Sequence, residues 1–216
     1  MKKALIFYGG WDGHDPEACA TLFADELRKH DVEVTVSDHL DDLKDAETLK
    51  GYDLITPIWT MGEIEKVSCG NLMAAVREGT GFGGFHGGMG DAFRGNIEYE
   101  WAVGGLFVGH PHIGEYSVRL TEKQHPITEG LPVEFSYRSE QYYMLTDPGN
   151  DVLADTVYTH DGRRTVMPVV WTRTLGKGRV FYSALGHQAQ EFHDYPEVKD
   201  MTVRGLLWAM RAPLPS

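Results

Sequence analysis

The sequence predicts an α/β fold: a parallel sheet with helices on both faces, extended in its second half by antiparallel strands. Three observations carry that prediction. Over residues 4–85, short apolar runs alternate with segments whose apolar residues recur every three or four positions. The resulting order, β-α-β-α-β-α-β, implies a parallel sheet with crossover helices. The fourth run then enters 80-TGFGGFHGGMGDAF-93, where six glycines surround His86; so much glycine suits a turn between elements, not a packed helix or an ordinary strand throughout. Beyond residue 112 the pattern changes, and strand-like segments follow one another with turns between them.

Residues 4–8, ALIFY, read as a buried first strand, followed by the loop 9-GGWDGHD-15. Asp15 reads as an N-cap and Pro16 as the first helical residue. Cys19, Leu22, Phe23 and Leu27 then form one apolar face of a helix. The alternating 32–37 is a strand, 41–50 a short acidic helix and 53–59 a third strand. Cys69, Leu72, Met73 and Val76 mark the next helix, which Gly79 ends, and 81–85 is the strand that delivers His86. Residues 96–104 fit a short helix. In the second half, 114–120, 133–138, 141–145, 151–154, 156–159, 166–173 and 178–184 read as strands, with 175-LGKG-178 a hairpin turn between the last two. Val203, Leu206, Leu207 and Met210 give the final helix, 197–211, its apolar face. No linker, repeat or low-complexity tract divides the chain, so residues 1–216 are expected to form one domain.

The net charge is −12, which argues against nucleic acid or an anionic membrane as partner and suits a small neutral or cationic molecule. No run approaches the roughly 20 apolar residues of a membrane span. The run 4-ALIFY-8 is too short for the apolar core of a secretion signal, so a cytoplasmic location is expected. Cys19 and Cys69 fall on the apolar sides of helices and read as reduced, buried thiols. With Cys69 inside a helix and no serine at a glycine elbow, no Cys-His-Glu or Ser-His-Asp triad assembles. The glycine run lacks a following Gly-Lys-Ser/Thr, and 9-GGWDGH-14 lacks the dinucleotide spacing, so no nucleotide cofactor is expected.

Histidine carries the chemistry. His14, His86, His110, His112 and His187 all fall beside glycine turns. In a parallel sheet, ligands bind at the carboxyl ends of the strands, so the loops 9–15, 57–66 and 86–91 should converge on one crevice. An imidazole there serves as metal ligand, general base or hydrogen-bond donor. In an extended chain His110 and His112 point the same way and offer half of a metal site; the alternative has His110 lining a pocket and His112 exposed. Glu140, in 138-RSEQYYM-144, is either an acid, base or hydroxyl acceptor, or part of a solvated strand face.

Five stretches extend this reading: 84-GFHGG-88, 104-GGLFVGHP-111, 125-HPITEGLP-132, 139-SEQYYML-145 and 168-PVVWTRTLGKGRVFYSALGH-187. Through them the chain resembles the trehalose-utilisation, or ThuA-like, family of the class I glutamine-amidotransferase-like superfamily. The resemblance implies a flavodoxin-like sheet and places His86 where the amidotransferases carry their cysteine nucleophile. It implies carbohydrate catabolism acting on a disaccharide, glycoside or 3-keto sugar. The expected catalytic residues are His86, Glu140 and His187. The expected substrate contacts are Trp11, Asp12, His14, Trp59 and Tyr142, with Phe85 as a further stacking ring. His110 and His112 are the expected ligands of a divalent metal, Zn²⁺ or Mn²⁺, and a homo-oligomer is compatible with the sequence. Ser139 departs from the family, which often has Asp there, and this speaks against a paired-carboxylate mechanism. The alternative function is a non-catalytic sugar or metabolite sensor on the same scaffold.

Overall fold

The computed structural model describes residues 1–215. Five strands form a parallel half-sheet: β1 (Lys2–Gly10), β2 (Val32–Ser37), β3 (Leu54–Thr60), β4 (Gly81–Phe85) and β9 (Gly178–Ser183). Four strands continue it antiparallel: β5 (Gly105–Leu120), β6 (Glu134–Thr146), β7 (Asp151–His160) and β8 (Arg163–Leu175). The nine form one sheet in the order β2-β1-β3-β4-β9-β8-β7-β5-β6. The helices are α1 (Pro16–Arg28), α2 (Ala46–Lys50), α3 (Lys66–Glu78), α4 (His86–Gly90), α5 (Ile97–Val103), α6 (Glu191–Asp194) and α7 (Pro196–Ala209). Among the described residues no helix is long and apolar enough to cross a membrane.

The central strands are apolar on both faces because helices cover both. Leu5, Ile6, Phe7, Leu54, Ile55 and Phe82 are buried, and so are Phe23 and Leu27 of α1, Leu72 and Val76 of α3, and Leu206 and Leu207 of α7. Each such side chain taken from water contributes roughly 1.5–3 kcal/mol. Cys19 and Cys69 are buried free thiols in this core, and burial pushes the Cys19 thiol up to about 12.

The differences from the sequence reading have local causes. Asp15 lies in the left-handed region at φ 46° and makes no side-chain cap; its N–H instead closes a 3-10 turn, Asp12–His14, onto the Asp12 carbonyl. Asp45 interrupts the acidic helix read over 41–50, because its carboxylate accepts from the Glu47 and Thr48 N–H groups and starts α2 afresh after a 3-10 turn. The largest difference is at β5 and β6. The Gly-, His- and Pro-containing 105–112, given no strand from the sequence, belongs to a 16-residue strand, and the two strands read over 133–145 are one. β5 pairs with β6 from Gly105↔Thr146 to Arg119↔Glu134, with register shifts between Phe107 and Gly109 and between Gly109 and His112. Irregular pairing of this kind accommodates the glycine and proline that weaken a strand signal. The 151–154 and 156–159 strands likewise merge into β7 across a shift near Ala154.

Candidate functional site

Three of the four site histidine and glutamate positions follow from where the parallel strands end. β1 runs into the 3-10 turn that turns His14 inward, 7% exposed. Its Nδ1 lies 2.7 Å from Thr60 Oγ1 at the end of β3. β4 ends at His86, the first residue of α4, at φ 44°. A non-glycine residue there carries strain of order 1–3 kcal/mol, a cost found mainly at functional sites. Beyond β9, Gly186 turns the chain so that His187 Nδ1 comes 3.3 Å from His86 Nε2. The fourth group comes from the antiparallel half: Glu140 on β6, whose Oε2 is 3.3 Å from His86 Nε2 and 3.5 Å from His187 Nδ1. One donor atom from each of His14, His86, Glu140 and His187 falls within 4.8 Å of every other.

The tautomer of His86 is set by its neighbour. Its Nδ1 lies 2.9 Å from the Ala184 carbonyl, which only accepts, so Nδ1 carries the hydrogen. Neutral His86 therefore turns a lone pair, on Nε2, toward a carboxylate oxygen. Two acceptors 3.3 Å apart need a proton or a cation between them. The Ala184 carbonyl and the Thr60 hydroxyl orient two of the imidazoles, as second partners do for metal-binding histidines.

Burial pushes the His14 imidazole down to about 3, helped by its neighbours His86 and His187. Burial, then His86, also lowers His187. For Glu140 burial acts upward, yet once the imidazoles are protonated the hydrogen bond from His86 and the charges of His86, His187 and His110 together bring it down to about 2. Near neutral pH, His14 is thus an uncharged donor and Glu140 a carboxylate.

The glycines of the elbow serve packing. A Cβ on Gly87 would stand 2.6 Å from His14 Nδ1, and one on Gly90 would stand 2.6 Å from Tyr182 Cζ. Besides forming the turn expected from the sequence, these glycines admit the close approach of His14 and Tyr182. The Tyr182 hydroxyl also donates to the His86 carbonyl at 3.1 Å.

The remaining sequence candidates fall in different places. Tyr142 stacks on His86 with ring centroids 4.0 Å apart. Trp11, 48% exposed, meets His14 edge-on at 4.8 Å, and Asp12 is exposed beside it. Trp59 lies against Gly9 and Gly62. Phe85 is corrected from stacking platform to core, being buried against Phe23 and Phe192. The pairing of His110 with His112 is also corrected. The register shifts of β5 break the alternation that would align them. His110 Nε2 reaches 3.6 Å from Glu140 Oε1, whereas His112 is exposed and bonds the Glu115 carbonyl. His14, read as a substrate contact, joins the donor cluster instead. Sequence reasoning missed Thr60, the Ala184 carbonyl and Glu191; only Glu191, an acid four residues after His187, left any trace in the pattern.

The sequence matches the ThuA family, described as trehalose utilisation, over residues 3–209. Among solved structures, the fold is similar to a ThuA-like protein from Bacteroides uniformis, at 20% identity and TM-score 0.75, covering 97% of this chain and 91% of that one. It is similar to a ThuA-like protein from Parabacteroides merdae at 17% identity and TM-score 0.74, covering 100% and 92%. A β-galactosidase from Rahnella sp. R3 contains a similar region, at 17% identity and TM-score 0.65, spanning 99% of this chain but 32% of that enzyme. A comparison with curated proteins gives no match.

Proposed function

Because the chain belongs to the ThuA, or trehalose-utilisation, family, we propose that it acts on a keto sugar or related disaccharide at a divalent-cation centre held by His14, His86, His187 and Glu140. The observation that carries this is the lone pair of His86 Nε2 facing Glu140 Oε2 at 3.3 Å, within a set of four donor atoms. Three imidazoles and a carboxylate form a donor set suited to Zn²⁺ or Mn²⁺. A cation held there supplies Lewis-acid polarisation of a carbonyl oxygen.

The side chains around the centre provide for the rest of the reaction. His110 is 40% exposed, tilted against Phe107, and reaches Glu140 Oε1 on the side away from His86. In this reading its imidazole takes a proton from the hydroxyl-bearing carbon beside a keto group, giving an enediol, and returns it to the former carbonyl carbon while the hydroxyl proton passes to the former carbonyl oxygen, which isomerises the sugar. Trp11, half exposed and 4.8 Å from the His14 ring, offers an aromatic surface, and the exposed Asp12 beside it a carboxylate for hydroxyl groups. Thiol acyl transfer has no counterpart here, since His86 occupies the elbow and both cysteines lie in the core.

The test is metal analysis of the purified protein and titration with Zn²⁺ and Mn²⁺, followed by incubation with a 3-keto disaccharide. The expected result is about one cation per chain, lost in His14→Ala and His86→Ala, with sugar conversion that falls in His110→Ala while metal content holds. Sugar binding without conversion would support the sensor reading instead. A folded protein that takes up no cation would mean that a proton joins His86 to Glu140, and the centre would be refuted.

A further inference from the structure

We propose that Glu191 is a positioning residue that fixes two of the four donors at once, an inference resting on the reading of those donors as one centre. Glu191 opens α6 and touches none of the four side chains' donor atoms directly. Its Oε2 accepts from the His187 N–H at 2.9 Å and from the Tyr137 hydroxyl. Its Oε1 accepts from the Ser139 hydroxyl at 2.8 Å. Tyr137 in turn accepts from the Gly186 N–H at 2.9 Å.

These donors come from two places. Gly186 and His187 belong to the turn after β9. Tyr137 and Ser139 belong to β6, and Ser139 immediately precedes Glu140. No strand pairing joins those segments, because β6 is the edge strand and β8, β7 and β5 separate it from β9. Two things link them: the Gly186–Tyr137 hydrogen bond and the Glu191 carboxylate, which alone reaches both Ser139 and His187. An ionised carboxylate accepts from all three groups without conflict, and a charged hydrogen bond is about twice as strong as a neutral one. Tyr116 completes the fastening of Glu140 by donating to its backbone carbonyl at 3.1 Å. Gln at 191 keeps the shape but turns an NH₂ group toward either the Ser139 hydroxyl or the Tyr137 and His187 donors. Since His187 Nδ1 and Glu140 Oε2 stand 3.5 Å apart, loosening the link changes their separation directly.

The experiment uses the full chain and the Glu191→Gln variant, with Asp200→Asn on the exposed side of α7 as a control that removes the same charge. Three readouts are taken: Zn²⁺ affinity by competition with a chromophoric chelator, the visible spectrum of the Co²⁺ form, and the ring ¹⁵N signals of the histidines without metal. Glu191→Gln is expected to weaken Zn²⁺ binding about 10–100-fold, the range for lost outer-shell partners. It should also alter the Co²⁺ spectrum and shift the His187 signals, while Asp200→Asn changes none of the three. A folded Glu191→Gln protein with wild-type affinity, spectrum and His187 signals would overturn the proposal. If that variant does not fold, Ser139→Ala, which removes a single donor, is read by the same three measures. If the wild-type protein takes up no cation, the centre fails on its own, and the metal-free His187 signals decide the role of Glu191: shifted supports it, unchanged refutes it.

Discussion

Gly87→Ala probes how tightly the elbow is built. The added Cβ would lie 2.6 Å from His14 Nδ1 and closer still to Cε1, and an ordinary contact needs 3.4 Å or more, so the ring must retreat by at least about 0.8 Å. The ring has little room to do so. Thr60 Oγ1 holds its Nδ1 at 2.7 Å, and the rings of Trp11, His86 and His187 stand 4.8–4.9 Å away, centroid to centroid. Metal–ligand distances tolerate about 0.2 Å, so the shift exceeds the tolerance several-fold. Zn²⁺ affinity should fall by at least the roughly 10–100-fold of a disturbed ligand, and overpacking should cost about 1–3 kcal/mol of stability. Chelator competition reads the first and denaturant unfolding of the metal-free protein the second. Gly70→Ala in α3, where a Cβ meets nothing within 4 Å, should instead stabilise by roughly 0.5–1 kcal/mol. Unchanged Zn²⁺ affinity in a folded Gly87→Ala protein would refute the reasoning, because it would put His14 outside the donor set.

Acid should weaken the metal-free fold. The unfolded chain protonates His14 near its ordinary 6.5 while the folded one resists to about 3, so stability falls as pH drops through that window, by about 2 kcal/mol between pH 7 and pH 5. Glu140, held down at about 2 against an ordinary 4.5, adds a further loss in the same direction below pH 4.5; unfolding midpoints that stay flat from pH 7 to pH 5 would contradict the first, and ones that stay flat from about pH 4.5 to pH 3 the second. His86→Ala and His86→Gly should each abolish cation binding, but the glycine variant should be about 1 kcal/mol the more stable, because φ 44° suits glycine; equal melting temperatures would show that the elbow is unstrained. Cys69→Ala should cost about 1 kcal/mol of stability and leave cation binding and sugar conversion intact, and loss of conversion in the folded variant would bring thiol chemistry back.

The parallel half of the fold is legible in the sequence because each element there declares itself locally. Strands such as 4–8 and 81–85 are short, and helices such as α1 and α3 show one apolar face. The antiparallel half is less so. β5 carries Gly109, Pro111 and two histidines across shifted pairing, and its strand character comes from β6, a partner beginning 14 residues after its end. The site divides along the same line. His86 and His187 stand out as histidines at glycine-marked strand ends. The place of His14 depends on Thr60, 46 residues away, and the separation of His110 from His112 depends on a register that periodicity does not encode. Glu191 looks like any helix-capping acid, and its three bonds exist only in the folded chain.

The wide spacing of the donors along the chain bears on when the centre comes into being. His86 is oriented by Ala184, 98 residues later, meets Glu140, 54 residues later, and meets His187, 101 residues later. A ribosome that has released only the first half of the protein has exposed His14 and His86 with neither the carboxylate nor the carbonyl that aims the second ring. Loops of this length close late and at an entropic cost that grows with their span. Under the proposed reading, cation capture would belong to the finished protein, and a chain cut before Ala184 would keep two of the centre's three histidines but lose the carbonyl that aims His86.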